Sequence, residues 1–161
     1  MAAPILTLGA TYPTKRQKVI MTPYQSEPLM VKVMIPKGWK IQTTDKAVAF
    51  YSPYGAPSVR AAMGVMKSSK SNLKIEKAAK DEFKAEGKPS DWIQITTTVD
   101  HHPAIRVVAP MKDNPEMQRL DYYVESPEGM YYIQFVAPRV AWQHYGPIYS
   151  FMISKVHFLH P

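Results

Sequence analysis

Hydrophobic and polar positions alternate along most of this chain, and a period of two predicts strands. Over 117–126, Leu120, Tyr122 and Val124 fall on one face, with Asp121, Tyr123 and Glu125 on the other. Pro127, Glu128 and Gly129 follow as a turn, the proline presetting φ and the glycine accepting a positive value. Alternation resumes over 130–136, so an antiparallel hairpin is predicted. Earlier runs at 29–35, 47–51 and 59–68 read the same way, the first with Val31, Val33 and Ile35 on one face. Later, Ile93, Ile95, Thr97 and Val99 share a face of 92–99. A turn at Asp100, His101, His102 and Pro103 leads into a return strand over 104–109.

Two segments change to a helical period. Ile75, Ala79 and Phe83 recur at i, i+4 and i+8, and Gly87 and Pro89 close that helix. Trp142, Tyr145, Tyr149 and Met152 form a second stripe. Pro147 lacks an N–H, and its ring opposes the carbonyl of Gln143. A break is therefore predicted, with one short helix over 139–145 and a restart at Pro147 running to 153. Residues 154–158 are predicted to close the sheet as its last strand. Burial is expected for Ile35, Trp39, Ile75, Ala79, Phe83, Ile133, Phe135 and Phe151.

This order of elements predicts an α+β fold. The 161 residues suit a single domain with a sizeable core, assigned to 29–161. Residues 1–28, with Pro4, Pro13, Pro23 and Pro28, read as an extended N-terminal arm.

Charge adds one asymmetry. Residues 1–88 carry 15 Lys and Arg against 6 Asp and Glu, a balance of +9, and residues 89–161 carry 5 against 7, a balance of −2. The basic half includes Lys15, Arg16 and Lys18 in the arm, and Lys74, Lys77, Lys80 and Lys84 on the first helix. The ordinary reading is a solvated helix face and a solubilising tail; the sharper one is a contact with an anionic partner. Specific nucleic-acid recognition is not expected, because no aromatic side chains are interleaved with those lysines.

Candidate chemistry is sparse. The chain has no cysteine, which excludes disulfides, thiolate catalysis and cysteine-based zinc sites. No G-x-S-x-G elbow, G-x-G-x-x-G loop or P-loop occurs. Asp100, His101 and His102 form the one cluster of metal-ligand types, and exposed turn histidines are the ordinary reading, so no metal is expected. Asp121 and Glu125 share a strand face, and two carboxylates on a solvated face are the ordinary case. The aromatic-rich C-terminal half reads first as core. Its sharper reading is an apolar groove between sheet and helix, with exposed tyrosines such as Tyr123 and Tyr132 as partner contacts. No apolar run reaches the ~20 residues of a membrane helix.

One set of short motifs resembles a known group. These are Ile35, Pro36, Lys37, Gly38 and Trp39 after a strand; His102, Pro103 and Ala104 at a turn; Tyr131, Tyr132 and Ile133 in a strand; and Tyr145, Gly146, Pro147 and Ile148 leading to Phe151 and Ser154. In this order, over 29–158, they resemble the PsbP-like superfamily. That group includes photosystem II PsbP, DcrB-like envelope proteins and chaperones of type VI secretion effectors. The resemblance implies a central antiparallel sheet with helices on both faces, an α/β/α sandwich. It implies protein binding or assembly rather than catalysis, with no cofactor. The expected role is assembly or maintenance of a bacterial envelope or secretion complex, in the periplasm or envelope. The alternatives are a cytoplasmic effector chaperone, which implies a homodimer, and an unrecognised hydrolase.

Overall fold

The computed structural model describes residues 18–56, 59–68 and 74–159. Its strands and helices are β1 (Met21–Ser26), β2 (Val31–Pro36), β3 (Lys40–Thr43), β4 (Ala47–Tyr51), β5 (Ala62–Lys67), α1 (Ile75–Ala85), β6 (Ile93–Val99), β7 (His102–Pro110), β8 (Met117–Ser126), β9 (Gly129–Pro138), α2 (Trp142–Ser154) and β10 (His157–Phe158). A single 3₁₀ turn, Arg139–Ala141, joins β9 to α2. Seven strands form the main sheet in the order β3-β4-β5-β9-β8-β7-β6, and β1-β2-β10 form a smaller one. Every strand pair is antiparallel.

Strand alternation sends side chains of β8 and β9 into two cores. Leu120, Tyr122, Val124, Tyr131, Ile133 and Phe135 join Val31, Val33, Ile35, Tyr145, Tyr149 and Met152 in the larger core. The small sheet and α2 cover that face. Tyr123 and Met130 point the other way and meet Ile75 and Ala79 of α1, together with Ile105 and Val107 of β7. Helices thus lie on both faces of the main sheet, as an α+β fold of this kind requires. Ala79 has no exposed surface, so its small side chain lets α1 sit close over β7 and β8.

Several expectations need correction. Met21–Ser26, expected within the extended arm, is a strand on the edge of the small sheet, where Pro23 costs no interior ladder bond. Lys40–Thr43 is a further strand; all four residues are exposed, so it carries no alternation signal. The C-terminal strand pairs with β2 in the small sheet and does not close the main one. The second helix does not break at Pro147. The residue before that proline is Gly146, with no Cβ to meet the ring, and a Cβ there would press on the Trp142 indole at 3.3 Å.

Of the eight residues expected to be buried, Phe83 is half-buried, edge-on to Trp92 with ring centroids 5.4 Å apart. Phe151 is 42% exposed. It lies two positions beyond Tyr149, about 200° round the helix and away from the sheet. Truncating Phe135 and Phe151 therefore separates core from surface. Phe135→Ala is expected to cost ~3–5 kcal/mol in urea unfolding, and Phe151→Ala within about 0.5 kcal/mol.

Candidate functional site

Helix α1 covers β7 and β8 and meets β9 near its start at Met130, leaving the strip of β9 and β5 beyond it open. The uncovered strip forms a groove of about 620 Å³. Ala78 and Glu82 of α1 make one wall, and Tyr132, Gln134 and Met66 lie along the other side. Lys46 stands at its rim, whereas the Lys67 ammonium lies over the Tyr131 ring on the opposite face of the sheet. Met66 is half exposed, and methionine adapts its shape to varied apolar partners. Gly64 faces the same side, between Ala49 and Gln134 in the ladder. A Cβ built on Gly64 meets nothing within 4 Å, so the missing side chain widens the strip.

Beneath the groove sits a buried charged cluster. Arg119 Nη2 donates to both carboxylate oxygens of Glu86, at 2.6 and 2.5 Å. Its Nε lies 3.5 Å from Asp121 Oδ2. The guanidinium also rests on the Trp92 ring, 5.4 Å from the centroid. Glu86 follows the last turn of α1, so this cation ties the helix end to the centre of the sheet. Burial works against the charge on Arg119, but Glu86 and Asp121 outweigh it and raise its pKa. Burial pushes Asp121 up to about 6, against the lowering pull of Arg119, Gln134 and Tyr132. Glu82 is raised by a hydrogen bond with Glu86 and then by burial.

The tyrosines are packed rather than displayed. Tyr123, expected to be exposed, is buried, and Tyr132 is half-buried against it with centroids 5.2 Å apart. The Tyr132 hydroxyl accepts from Gln134 Nε2 at 2.8 Å. Burial raises the pKa of both phenols, so they stay neutral. The strand face holding Asp121 is expected to be solvated, yet Asp121 has no exposed surface and Arg119 almost none. The reason is α1: a central strand covered on both faces has no solvated side.

The basic residues are not gathered into one site. Lys77, Lys80 and Lys84 on α1 and Lys74 at its N-cap are all exposed, and Lys77 donates to Asp81 at 2.6 Å. Lys18 lines a separate cavity of about 220 Å³ with Trp39, Tyr145 and His144. Lys15 and Arg16 lie outside the described residues. The turn histidines part company too. His101 is exposed, whereas His102 packs its ring on Phe158 at 5.1 Å. Asp100 accepts from the Phe158 amide at 2.8 Å and lies 3.2 Å from the His157 ring, tying this turn to β10. No group of three metal-ligating side chains occurs among the described residues.

Sequence reasoning missed Arg119, Glu86, Gly64, Met66 and Lys46. The signal available was weak: a charged pair, Arg119 and Asp121, alternating with apolar positions in the most hydrophobic hairpin.

No protein-family profile and no curated protein sequence matches this chain. Solved structures do match. The solution structure of cyanobacterial PsbP (CyanoP) from Synechocystis sp. aligns over 91% of this chain and 97% of its own, with TM-score 0.62 and 11% identity. A Pseudomonas aeruginosa protein of unknown function aligns over 88% and 98%, with TM-score 0.54 and 14% identity. LpqN, involved in cell envelope biogenesis of Mycobacterium tuberculosis, aligns over 89% and 93%, with TM-score 0.51 and 8% identity. Agreement over almost the whole of each chain, at identities this low, is agreement of fold: this chain has the PsbP-like fold.

Proposed function

We propose that the protein is a non-enzymatic binding module that holds an apolar segment of a protein partner in the groove beside α1. The observation that carries this reading is the groove itself, where Met66 lies exposed and Tyr132 half-buried beyond the edge of the helix. Lys46 at the rim favours an acidic residue flanking that segment. The exposed lysines at the N-cap and along α1, Lys74, Lys77, Lys80 and Lys84, extend the positive field and steer encounter rather than fix the bound state. A non-catalytic role is supported by the position of Asp121. A general acid or base must reach the proton that it moves, and Asp121 has no exposed surface.

The cellular setting belongs to the same proposal. LpqN, which shares the fold, is involved in cell envelope biogenesis, and this supports a place in an envelope or secretion complex outside the cytoplasm. No helix among the described residues is long and apolar enough to cross a membrane. A photo-crosslinking residue at Met66 tests the reading in native extract. Capture of one envelope or secretion protein from Met66, and not from the exposed position Lys77, is the expected result. Crosslinks from Lys77 alone would move the site to the outer face of α1.

A further inference from the structure

Among the described residues four strands end the two sheets, and three of them are guarded against pairing. β1 carries Pro23, β10 has two residues, and β3 has four, beginning at Lys40 and followed closely by Asp45 and Lys46. β6 has no such device. Its seven residues, Ile93, Gln94, Ile95, Thr96, Thr97, Thr98 and Val99, include no charge and no proline. Ile93 and Ile95 are 59% and 44% exposed. They face the side of the sheet that α2 and the small sheet cover elsewhere, but that cover does not reach the β6 edge. A long, uncharged, β-branched edge is a template for another strand.

We propose that β6 is a homodimer interface, pairing antiparallel with β6 of a second copy to join the two main sheets. This proposal does not rest on the groove.

The geometry sets the register. Asp100 and His101 both have positive φ, at 48° and 65°, and Val99 is paired with His102, which describes a two-residue type I′ hairpin. Val99 therefore exchanges its backbone hydrogen bonds with β7, as do Thr97, Ile95 and Ile93. The N–H and C=O groups of Gln94, Thr96 and Thr98 point to the open edge. A two-fold axis through Thr96 sets Thr96 against its own copy, and Gln94 against Thr98. All three outward residues then exchange hydrogen bonds. On the apolar face, Ile95 lies across from Thr97, and Ile93 across from Val99.

Charge also favours a second copy. A strand without charges sets no like charges opposite one another when it pairs with itself. Two residues beyond each end of the paired strands, Asp91 falls across from His101 and not from another acid.

Sedimentation of the full chain from micromolar to sub-millimolar concentration tests this, read together with amide exchange. The expected result is a concentration-dependent species of twice 18.3 kDa. The amides of Gln94, Thr96 and Thr98 gain protection as it forms. Thr96→Lys places two like charges across the axis and Thr96→Pro removes an outward N–H; neither touches the β6–β7 ladder. Both variants should remain monomeric across the same range, with native amide protection elsewhere. Three results would overturn the proposal. These are a wild-type monomer with freely exchanging edge amides, a dimer that persists in both variants, and edge amides protected in a monomer at every concentration, which would mean cover from within the chain. If Thr96→Pro alone fails to fold, Thr96→Lys decides.

Discussion

Arg119→Met is expected to lower the free energy of unfolding by about 3–5 kcal/mol, because breaking a buried ion pair leaves its partners uncompensated. The Arg119 and Glu86 side chains are 5% and 6% exposed, and Asp121 is fully buried. Removing the one cation among them leaves acid groups facing one another with little access to water. Methionine keeps an unbranched apolar side chain of similar length at the site, so the loss is chiefly that of the guanidinium's charge, including its contact with the Trp92 ring. The comparison that separates charge from packing is the triple change Arg119→Met, Glu86→Gln, Asp121→Asn. Neutralising the whole cluster should restore much of the loss, because buried ion pairs replaced as a set are often near neutral. Urea unfolding monitored by tryptophan fluorescence measures both. A loss under 1 kcal/mol for Arg119→Met would mean that the cluster is wetter than its burial indicates.

The second large effect is a dependence on pH. In the folded chain burial raises Asp121 from 3.8 to about 6. The folded state therefore keeps a proton that the unfolded state has released. Stability from this group is fully present below about pH 4 and is lost as pH rises through 6. A rise of that size corresponds to about 3 kcal/mol. Asp121→Asn removes the titration, so wild-type stability relative to this variant should fall by about 2–3 kcal/mol between pH 4 and pH 7. Equilibrium unfolding of both proteins across that range gives the difference. A relative stability that rises with pH would show the Arg119 attraction winning over burial.

These two predictions concern residues that the sequence shows plainly but whose surroundings it conceals. The phase of β8 was legible: Leu120, Tyr122 and Val124 do share one face, opposite Asp121 and Tyr123. What a period of two cannot reveal is whether a second layer covers the polar face. Here α1 does, and it turns Asp121 from an expected surface acid into a buried one. The stripe of Ile75 and Ala79 identified the covering helix, though not its place over the sheet.

The groove is a product of that placement, so its residues come from β5, β9 and α1 and share no local pattern. Gly64 is the nearest thing to a signal, a glycine where alternation calls for a side chain. The exposed edges misled in opposite ways. β3 has no buried position and left no trace, whereas Ile93 and Ile95 alternate like core residues but stand at the sheet margin. Phe151 shows the same limit for a helix. Its burial was expected from periodicity, while the stripe through Tyr145, Tyr149 and Met152 already faced the other way.

The groove is the central claim, and titration of the crosslinked partner against wild type, Gly64→Val and Lys77→Glu/Lys80→Glu/Lys84→Glu tests it most directly. Valine on Gly64 enters open space in a strand that tolerates it, so folding should be unchanged. Binding in the groove predicts that Gly64→Val loses at least tenfold in affinity, about 1.4 kcal/mol. The lysine triple variant should lose far less, and mainly at low salt, where screening lengths exceed ~10 Å. Full binding by Gly64→Val, with binding abolished in the lysine triple variant, would contradict it.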